Sequence, residues 1–235
     1  MNKHAIITGG ANGIGYQIAN HFSKKGIVPI ILDCEKYNES KFDNFKTKPF
    51  YFNVDLRDQK TLLAVIDKVK EFSINYLINN AAVHYTDTFN ELSMERFDDT
   101  FKVNLFSTVL LCKELSKTMP KNSQIINISS VHSSVPRLDR YAYDAAKAAL
   151  EQFSKELALT LAPKILVNCY SFGATCTPMN GNFADKKRLR ESVARIPMKK
   201  VLSAEEAGRQ VVLFATNNKY STGEVIVLDG GRSLK

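Results

Sequence analysis

The sequence predicts an α/β fold in which a doubly wound, mostly parallel sheet carries helices on both faces. Three observations predict it. Short apolar runs of strand length alternate with longer stretches of helical spacing along the chain. A glycine-rich turn stands at the first junction between such a run and a helix, and an acid closes the second run.

Residues 4–8 (His-Ala-Ile-Ile-Thr) read as a buried strand, followed at once by Thr8-Gly9-Gly10-Ala11-Asn12-Gly13-Ile14-Gly15. A helical pattern through Ile18, Ala19 and Phe22 comes next and ends near Gly26. Strand, glycine turn and helix start in that order form a phosphate-binding corner, because glycine lets backbone turn tightly and approach a pyrophosphate closely. A second strand, Ile27 to Leu32, ends in Asp33. An acid there can accept hydrogen bonds from the hydroxyls of an adenosine ribose and would repel a 2′-phosphate. No Arg or Lys occupies 9–15, and Cys34 and Glu35 follow, so the reading is NAD(H) over NADP(H). The plain alternative is an acid that merely ends a strand.

Residues 34–47 are polar with little helical periodicity, so an irregular connection is expected. Phe50 to Val54 reads as a third strand, with Asp55-Leu56 at its carboxyl end as an adenine site. A helix over 58–72 shows apolar spacing at Leu62, Val65, Ile66 and Val69. Tyr76 to Ile78 is a fourth strand, running into Asn79-Asn80-Ala81-Ala82. Residues 93–119 predict one long helix, stopped by Pro120. Ser123 to Ile128 is the fifth strand, 141–161 the next helix, Lys164 to Cys169 the sixth strand, Ala204 to Ala215 a helix, and Glu224 to Leu228 the last strand.

The chemistry sits between Ser130 and Lys147. Tyr143 and Lys147 lie four residues apart on one helix face. A free tyrosine has a pKa of about 10, too high for a base at neutral pH, and a neighbouring ammonium favours the phenolate. Beside a hydroxyl at a strand end, the pair can exchange a proton with an alcohol or ketone. Taken alone, Tyr-x-x-x-Lys is as well explained by a solvated helix face. Tyr141 lacks the partner, since Ala145 stands four residues on.

The chain of 235 residues suits one domain with a sizeable core, and its composition, 44% hydrophobic and 24% charged, is that of an ordinary globular protein. No apolar run is long enough to span a membrane, and Met1-Asn2-Lys3-His4 leads directly into a strand, leaving no room for a signal peptide. Cys34, Cys112, Cys169 and Cys176 show no metal-binding spacing, which argues against a zinc site and reads as buried, reduced thiols of a cytoplasmic protein. The net charge of +8 is spread among acids and no nucleic-acid motif accompanies it, so no nucleic-acid partner is expected. One patch is concentrated: Lys186, Lys187, Arg188, Arg190, Arg195, Lys199 and Lys200. It reads as a solvated segment. Its functional alternative is a rim that attracts a carboxylate, a phosphate or an acyl-carrier partner.

Together these residues resemble the short-chain dehydrogenase/reductase family over essentially the whole chain. Thr8-Gly9-x-x-x-Gly13-x-Gly15 is similar to its cofactor turn and Asn79-Asn80-Ala81 to its fourth-strand motif. Asn104 falls at its helix asparagine, Ser130 precedes Tyr143 by its usual interval, and Tyr143-x-x-x-Lys147 is its signature. Val167-Asn168, Gly173 and Thr177-Pro178-Met179 resemble the segment that holds the nicotinamide end, and Thr222-Gly223-Glu224 through Asp229-Gly230-Gly231 its closing strand.

The resemblance implies a seven-stranded Rossmann sheet and a set of roles. Tyr143 would be the general acid or base. Lys147 would depress the Tyr143 pKa and hold the nicotinamide ribose. Ser130 would hydrogen-bond the reacting oxygen, with Ser129, Ser133 and Ser134 as nearby alternatives. Asn104 would hold a water linking Lys147 to solvent. The cofactor would contact Thr8, Gly9, Asn12, Gly13, Ile14, Gly15, Asp33, Asp55, Leu56, Asn80, Ala81, Ala82, Tyr143, Lys147, Gly173, Thr175 and Thr177. Three departures concern the pocket: Ala82 replaces a usual glycine, Phe172 a usual proline, and Thr175 a usual β-branched aliphatic. Residues 178–200 fall where the family carries its substrate lid.

The implied substrate is a secondary alcohol or ketone. Val135-Pro136-Arg137-Leu138 puts a cation near the reacting groups and is similar to dihydroxybenzoate-pathway dehydrogenases, which act on a cyclic dihydrodiol carboxylate. Arg137 and Phe172 are the substrate-contact expectations beside Ser130, with a surface Arg137 after a turn proline as the plain reading. An NADPH-dependent 3-oxoacyl reductase is a further alternative, drawn from the basic lid. A catalytically idle, cofactor-binding regulatory protein is another, although such proteins usually lack the Tyr or Lys present here. The resemblance also implies homodimers or homotetramers paired through 93–119 and 141–161.

Overall fold

A computed structural model describes residues 2–234, apart from the side chains of residues 180, 182 and 183 in the expected lid. Met1 lies outside the described residues. The strands are β1 (His4–Thr8), β2 (Val28–Asp33), β3 (Phe50–Asn53), β4 (Ile74–Asn79), β5 (Ser123–Ser130), β6 (Ile165–Phe172), β7 (Thr175–Cys176), β8 (Leu202–Ser203) and β9 (Val225–Leu228). The helices are α1 (Gly13–Lys24), α2 (Gln59–Val69), α3 (Met94–Phe101), α4 (Ser107–Leu115), α5 (Tyr141–Leu161), α6 (Lys186–Ala194) and α7 (Ala204–Asn217).

Seven strands form one parallel sheet in the order β3-β2-β1-β4-β5-β6-β9. The chain builds outward from β1 through β2 to β3, then crosses back so that β4 pairs with the other side of β1. That reversal opens a crevice at the carboxyl ends of β1 and β4, where ligands bind in open α/β sheets.

Side chains alternate across the sheet as the two-residue period requires. Ile6, Ile30, Leu77, Ile125 and Val167 pack with Leu62, Ile66, Leu111 and Leu115 on one face. Ala5, Ile7, Ile31, Ile78 and Ile126 pack with Ile18, Phe22 and Val211 on the other. Full burial of such a side chain contributes about 1.5–3 kcal/mol, against less than about 1 kcal/mol for an exposed ion pair. The two apolar layers, not the surface charges, hold the sheet.

The structure departs from the expected elements in several places. Residues 93–119 do not form one regular helix: α3 and α4 are joined by a π-helical turn over Lys102–Phe106. Asn104 lies inside that turn, and apolar spacing carries no signal for it. β6 runs three residues beyond Cys169 to Phe172, and the helix expected over 58–72 is shorter because Asp58 caps it and it ends at Val69. Residues 34–47 contain a 3₁₀ turn (Glu39–Phe42), and Phe42 and Phe45 from that polar stretch are buried in the core. The lid region carries α6, capped by the Asp185 side chain, which accepts from Lys187 N and Arg188 N. β7 and β8 pair with each other and have no counterpart in the sequence pattern. Cys112 and Cys169 are buried as expected, whereas Cys34 and Cys176 are exposed.

Candidate active site

The crevice at the sheet switch point is a cleft of about 590 Å³, within the range of small-molecule and cofactor sites. Its floor is the turn after β1. Gly9 and Gly13 have φ of +65° and +55°, a left-handed conformation that favours glycine. A side chain at Gly15 would put its Cβ 2.1 Å from the Gly9 carbonyl oxygen and 2.5 Å from Asn80 Nδ2. The Thr8 hydroxyl accepts from Asn80 N and Ala81 N, each at 3.0 Å, and Asn80 Nδ2 donates to Thr8 O and Gly9 O at 3.0 and 3.1 Å. The β4 motif thus fixes the glycine turn from behind. Asn12, the N-cap of α1, makes no side-chain cap, so the first-turn N–H groups of α1 stay directed at the cleft.

At one end, Asp33 Oδ2 accepts from Ala11 N and Oδ1 from Glu35 N, both at 2.9 Å. Glu35, Asp55 and Leu56 line the cleft beside it. Two cations absent from the sequence reading stand here, each already paired. Lys41 Nζ lies 3.2 Å from Glu35 Oε2 and donates to Asn12 Oδ1 at 3.1 Å, while Asn12 Nδ2 donates to Glu35 Oε1. Arg57 bridges Asp55 at 2.6 Å and Asp99 at 3.1 Å.

The other end is built from β5 and α5. Ser130 ends β5, and its hydroxyl interacts with the Tyr143 phenol. Its neighbours are committed elsewhere: Ser129 Oγ donates to Lys147 O, Ser133 Oγ to Glu151 Oε1 and Ser134 Oγ to Val131 O. Lys147, 2% exposed, places Nζ 5.7 Å from the centre of the Tyr143 ring and donates to Ile128 O at 2.6 Å. Burial brings its pKa down to about 8.

Burial pushes the Tyr143 phenol above its ordinary value, while Ser130 and then Arg140 pull it down. Two cations flank the ring: Lys147 Nζ at 5.7 Å and Arg140 Cζ at 5.9 Å from its centre, the latter a residue the sequence pattern does not single out. Tyr141, the tyrosine without a lysine partner, packs edge-on against Phe89 and does not line the cleft.

A family model described as enoyl-(acyl carrier protein) reductase matches residues 9–233. A 3-oxoacyl-[acyl-carrier-protein] reductase FabG of Buchnera aphidicola subsp. Schizaphis graminum is 32% identical over 239 residues, covering 97% of this chain and 96% of the relative. The chain belongs to the short-chain dehydrogenase/reductase family. It is an NAD(P)-dependent oxidoreductase acting on CH–OH or keto groups. An NADPH-dependent aldehyde reductase of Arabidopsis thaliana is 31% identical over 247 residues, covering 97% of this chain and 85% of the relative. The L-sorbose reductase of Gluconobacter frateurii, solved with NADPH and L-sorbose, superposes with a TM-score of 0.89 at 26% identity, covering 98% and 96% of the two chains.

The residues present fit the dinucleotide of this family, since a Cβ would fill the cradle at Gly9 and Gly15 and Asp33 faces the cleft. Gly9, Asn12, Gly13, Ile14, Asp33, Asp55, Leu56, Asn80, Ala81, Ala82, Ser130, Arg137, Tyr143, Lys147, Phe172, Gly173, Thr175 and Thr177 all line the cleft. Three expected site residues do not. Thr8 and Gly15 stand behind the turn and shape it. Asn104 is fully buried; its Oδ1 accepts from Val83 N at 2.8 Å and its Nδ2 donates to Val83 O at 2.9 Å. Both ends of that amide brace the segment after β4. Arg140, Arg232 and His132 also line the cleft, and the sequence reading does not include them. Arg140 stands three residues ahead of Tyr143, a spacing that offers some signal; Arg232, beyond the last strand, carries none.

Among the described residues no helix is long and apolar enough to cross a membrane, and no group of three or more His, Cys, Asp or Glu could hold a metal ion.

Proposed function

We propose that this enzyme moves hydride between NAD(H) and a secondary alcohol or ketone of small, anionic character. The observation that carries the reading is the meeting of Ser130, Tyr143 and Lys147 at one end of a cleft whose other end holds Asp33. The bound nicotinamide would supply or accept the hydride. Gly9, Gly13 and the α1 N-terminus would hold its pyrophosphate, Asp33 the adenosine ribose, and Lys147 the nicotinamide ribose. Ser130 would hydrogen-bond the reacting oxygen, where charge develops. Tyr143 would protonate that oxygen in reduction and deprotonate the alcohol in oxidation.

The test is Tyr143→Phe. We expect kcat to fall by at least about 10³-fold on loss of the acid–base group, with NADH binding retained. Turnover close to wild type would overturn the assignment.

NAD(H) is supported by three carboxylates at the adenosine end, Asp33, Glu35 and Asp55, while Lys41 and Arg57 are held in ion pairs. The second reading, an NADPH-dependent 3-oxoacyl reductase, is favoured by the reductase relatives named above. Tighter binding of NADPH than NADH by calorimetry would select it. A dihydrodiol carboxylate substrate is supported by the position of Arg137 in the cleft lining.

Assembly would use the faces of α3–α4 and α5, where Phe106 is 53% and Leu159 84% exposed. A dimer or tetramer by light scattering is the expected result. The cofactor reading and the absence of disulfides among the described cysteines suit a reducing, cytoplasmic setting.

A further inference from the structure

Three guanidinium groups line the reacting end of the cleft: Arg137 and Arg140 ahead of α5, and Arg232 in the turn after β9. Arg140 and Arg232 are half-buried, and none of the three enters an ion pair among the described residues. Taking an arginine out of water without a counter-ion is costly. The nearest acids, Asp144 and Asp229, act on Arg140 and Arg232 through space but form no ion pair with them among the described residues. Asp144 Oδ2 accepts from the backbone N–H of Arg137 at 2.8 Å, and the two Asp229 oxygens accept from Gly231 N and Ser233 N at 2.8 and 2.6 Å. Burial and then repulsion from Arg137, with Arg195 also acting on Arg232, hold Arg140 and Arg232 below the ordinary arginine value.

The placement is built, not incidental. Gly230 and Gly231 take φ of +66° and +83°, turning the chain back after β9, and a Cβ at Gly230 would meet Ile196 Cγ2 at 2.7 Å. Met198 N donates to Gly230 O at 3.1 Å. The turn carrying Arg232 is therefore locked against the segment after α6. Arg140, 5.9 Å from the Tyr143 ring centre, stands next to the acid–base group itself.

We infer that Arg140 and Arg232, with Arg137 at the rim, form an oxyanion subsite, and that the substrate is a small hydroxy acid or oxo acid, or its phosphate-ester equivalent, with the anion a few bonds from the carbinol carbon. The planar forks of arginine match carboxylate and phosphate alike. A 3-oxoacyl thioester has no anionic group at that distance from its ketone. The inference rests on the proposed hydride transfer at Tyr143.

The experiment measures reduction of 3-oxobutanoate, its ethyl ester, its N-acetylcysteamine thioester, dihydroxyacetone phosphate and dihydroxyacetone, with calorimetric binding of the two anions to the cofactor-loaded protein. We expect at least one anion to exceed its uncharged counterpart by about tenfold or more in kcat/KM, and Arg140→Gln and Arg232→Gln each to cut that ratio about tenfold, as losing a charged hydrogen bond does. Arg188→Gln, on exposed α6, should keep the ratio. Whichever anion responds distinguishes carboxylate from phosphate. Thioester or ester used as well as the anions, ratios unchanged in both arginine variants, or neither anion turned over or bound would overturn the subsite. Those outcomes leave hydride transfer standing wherever a neutral ketone is reduced and Tyr143→Phe abolishes it. Failure of the wild type to bind either dinucleotide would overturn the hydride-transfer reading instead.

Discussion

Arg140 holds its guanidinium carbon 5.9 Å from the centre of the Tyr143 ring, and its charge favours the phenolate against a burial that opposes it. The ammonium of Lys147 lies 5.7 Å from the same ring centre and donates to Ile128 O at 2.6 Å, so two cations flank the tyrosine.

Removing the Arg140 cation should change the pH dependence of turnover. Burial already raises the Tyr143 pKa, and Arg140 lowers it. In Arg140→Gln the pKa therefore rises further. Alcohol oxidation needs the phenolate, so the limb on which kcat climbs with pH should move to higher pH. Profiles of kcat measured in parallel for wild type and variant check this, and coincident limbs would dismiss the coupling.

Lys147 should leave a mark on stability. Its folded pKa is brought down to about 8 by burial, whereas an unfolded lysine titrates at about 10.4. Below about 8 both states hold the proton and the burial penalty applies in full. Between the two values the unfolded chain binds more protons, so this residue makes stability rise with pH across that window. Urea unfolding of wild type and Lys147→Met from neutral to alkaline pH should give a difference that changes across the window. A pH-independent difference would show that Lys147 is not buried as an ammonium.

Asn104 joins the site to the fold. Asn104→Ala removes the partners of Val83 N and Val83 O, and each unsatisfied buried group costs about 1–3 kcal/mol. The 81–84 segment carries Ala81 and Ala82 on the cleft wall, so dinucleotide binding should weaken along with the melting temperature. Gly15→Ala should do the same by overlap with Gly9 O. Calorimetry and thermal denaturation read both effects, and an unaltered dinucleotide Kd in either variant would count against this bracing role.

Most of the sheet and the core of the site are legible in the sequence alone. The sheet can be read because a parallel sheet covered on both faces demands apolar runs such as Ile6–Ile7, Ile30–Leu32 and Ile125–Ile126. The glycine turn and the Tyr143–Lys147 pair can be read because they depend on local spacing alone. What cannot be read depends on non-local approach. The π turn at Asn104 is set by a contact 21 residues away, Lys41 reaches Asn12 across 29, and Arg232 joins Arg140 in the cleft lining only once β9 closes the sheet. Sequence neighbours point to a lowered Tyr143 pKa, yet burial decides the direction and raises it.

The adenosine end gives the last expectation. Asp33 accepts two backbone N–H bonds, from Ala11 and Glu35, which fix its carboxylate at the end of the cleft proposed for the adenosine ribose. Lys41 is a cation beside this end of the cleft, and Glu35 holds it at 3.2 Å. Glu35→Gln removes one repelling charge and releases Lys41, so NADPH binding should tighten by about tenfold or more, with a smaller change for NADH, which has no 2′-phosphate. Asp33→Asn also removes a charge but turns an amide donor toward a backbone N–H, so part of its gain should be lost to local disorder. Calorimetric Kd values for both dinucleotides across the two variants decide the matter. If NADPH is already the tighter ligand of the wild type and Glu35→Gln leaves it unchanged, the acidic rim does not set cofactor choice.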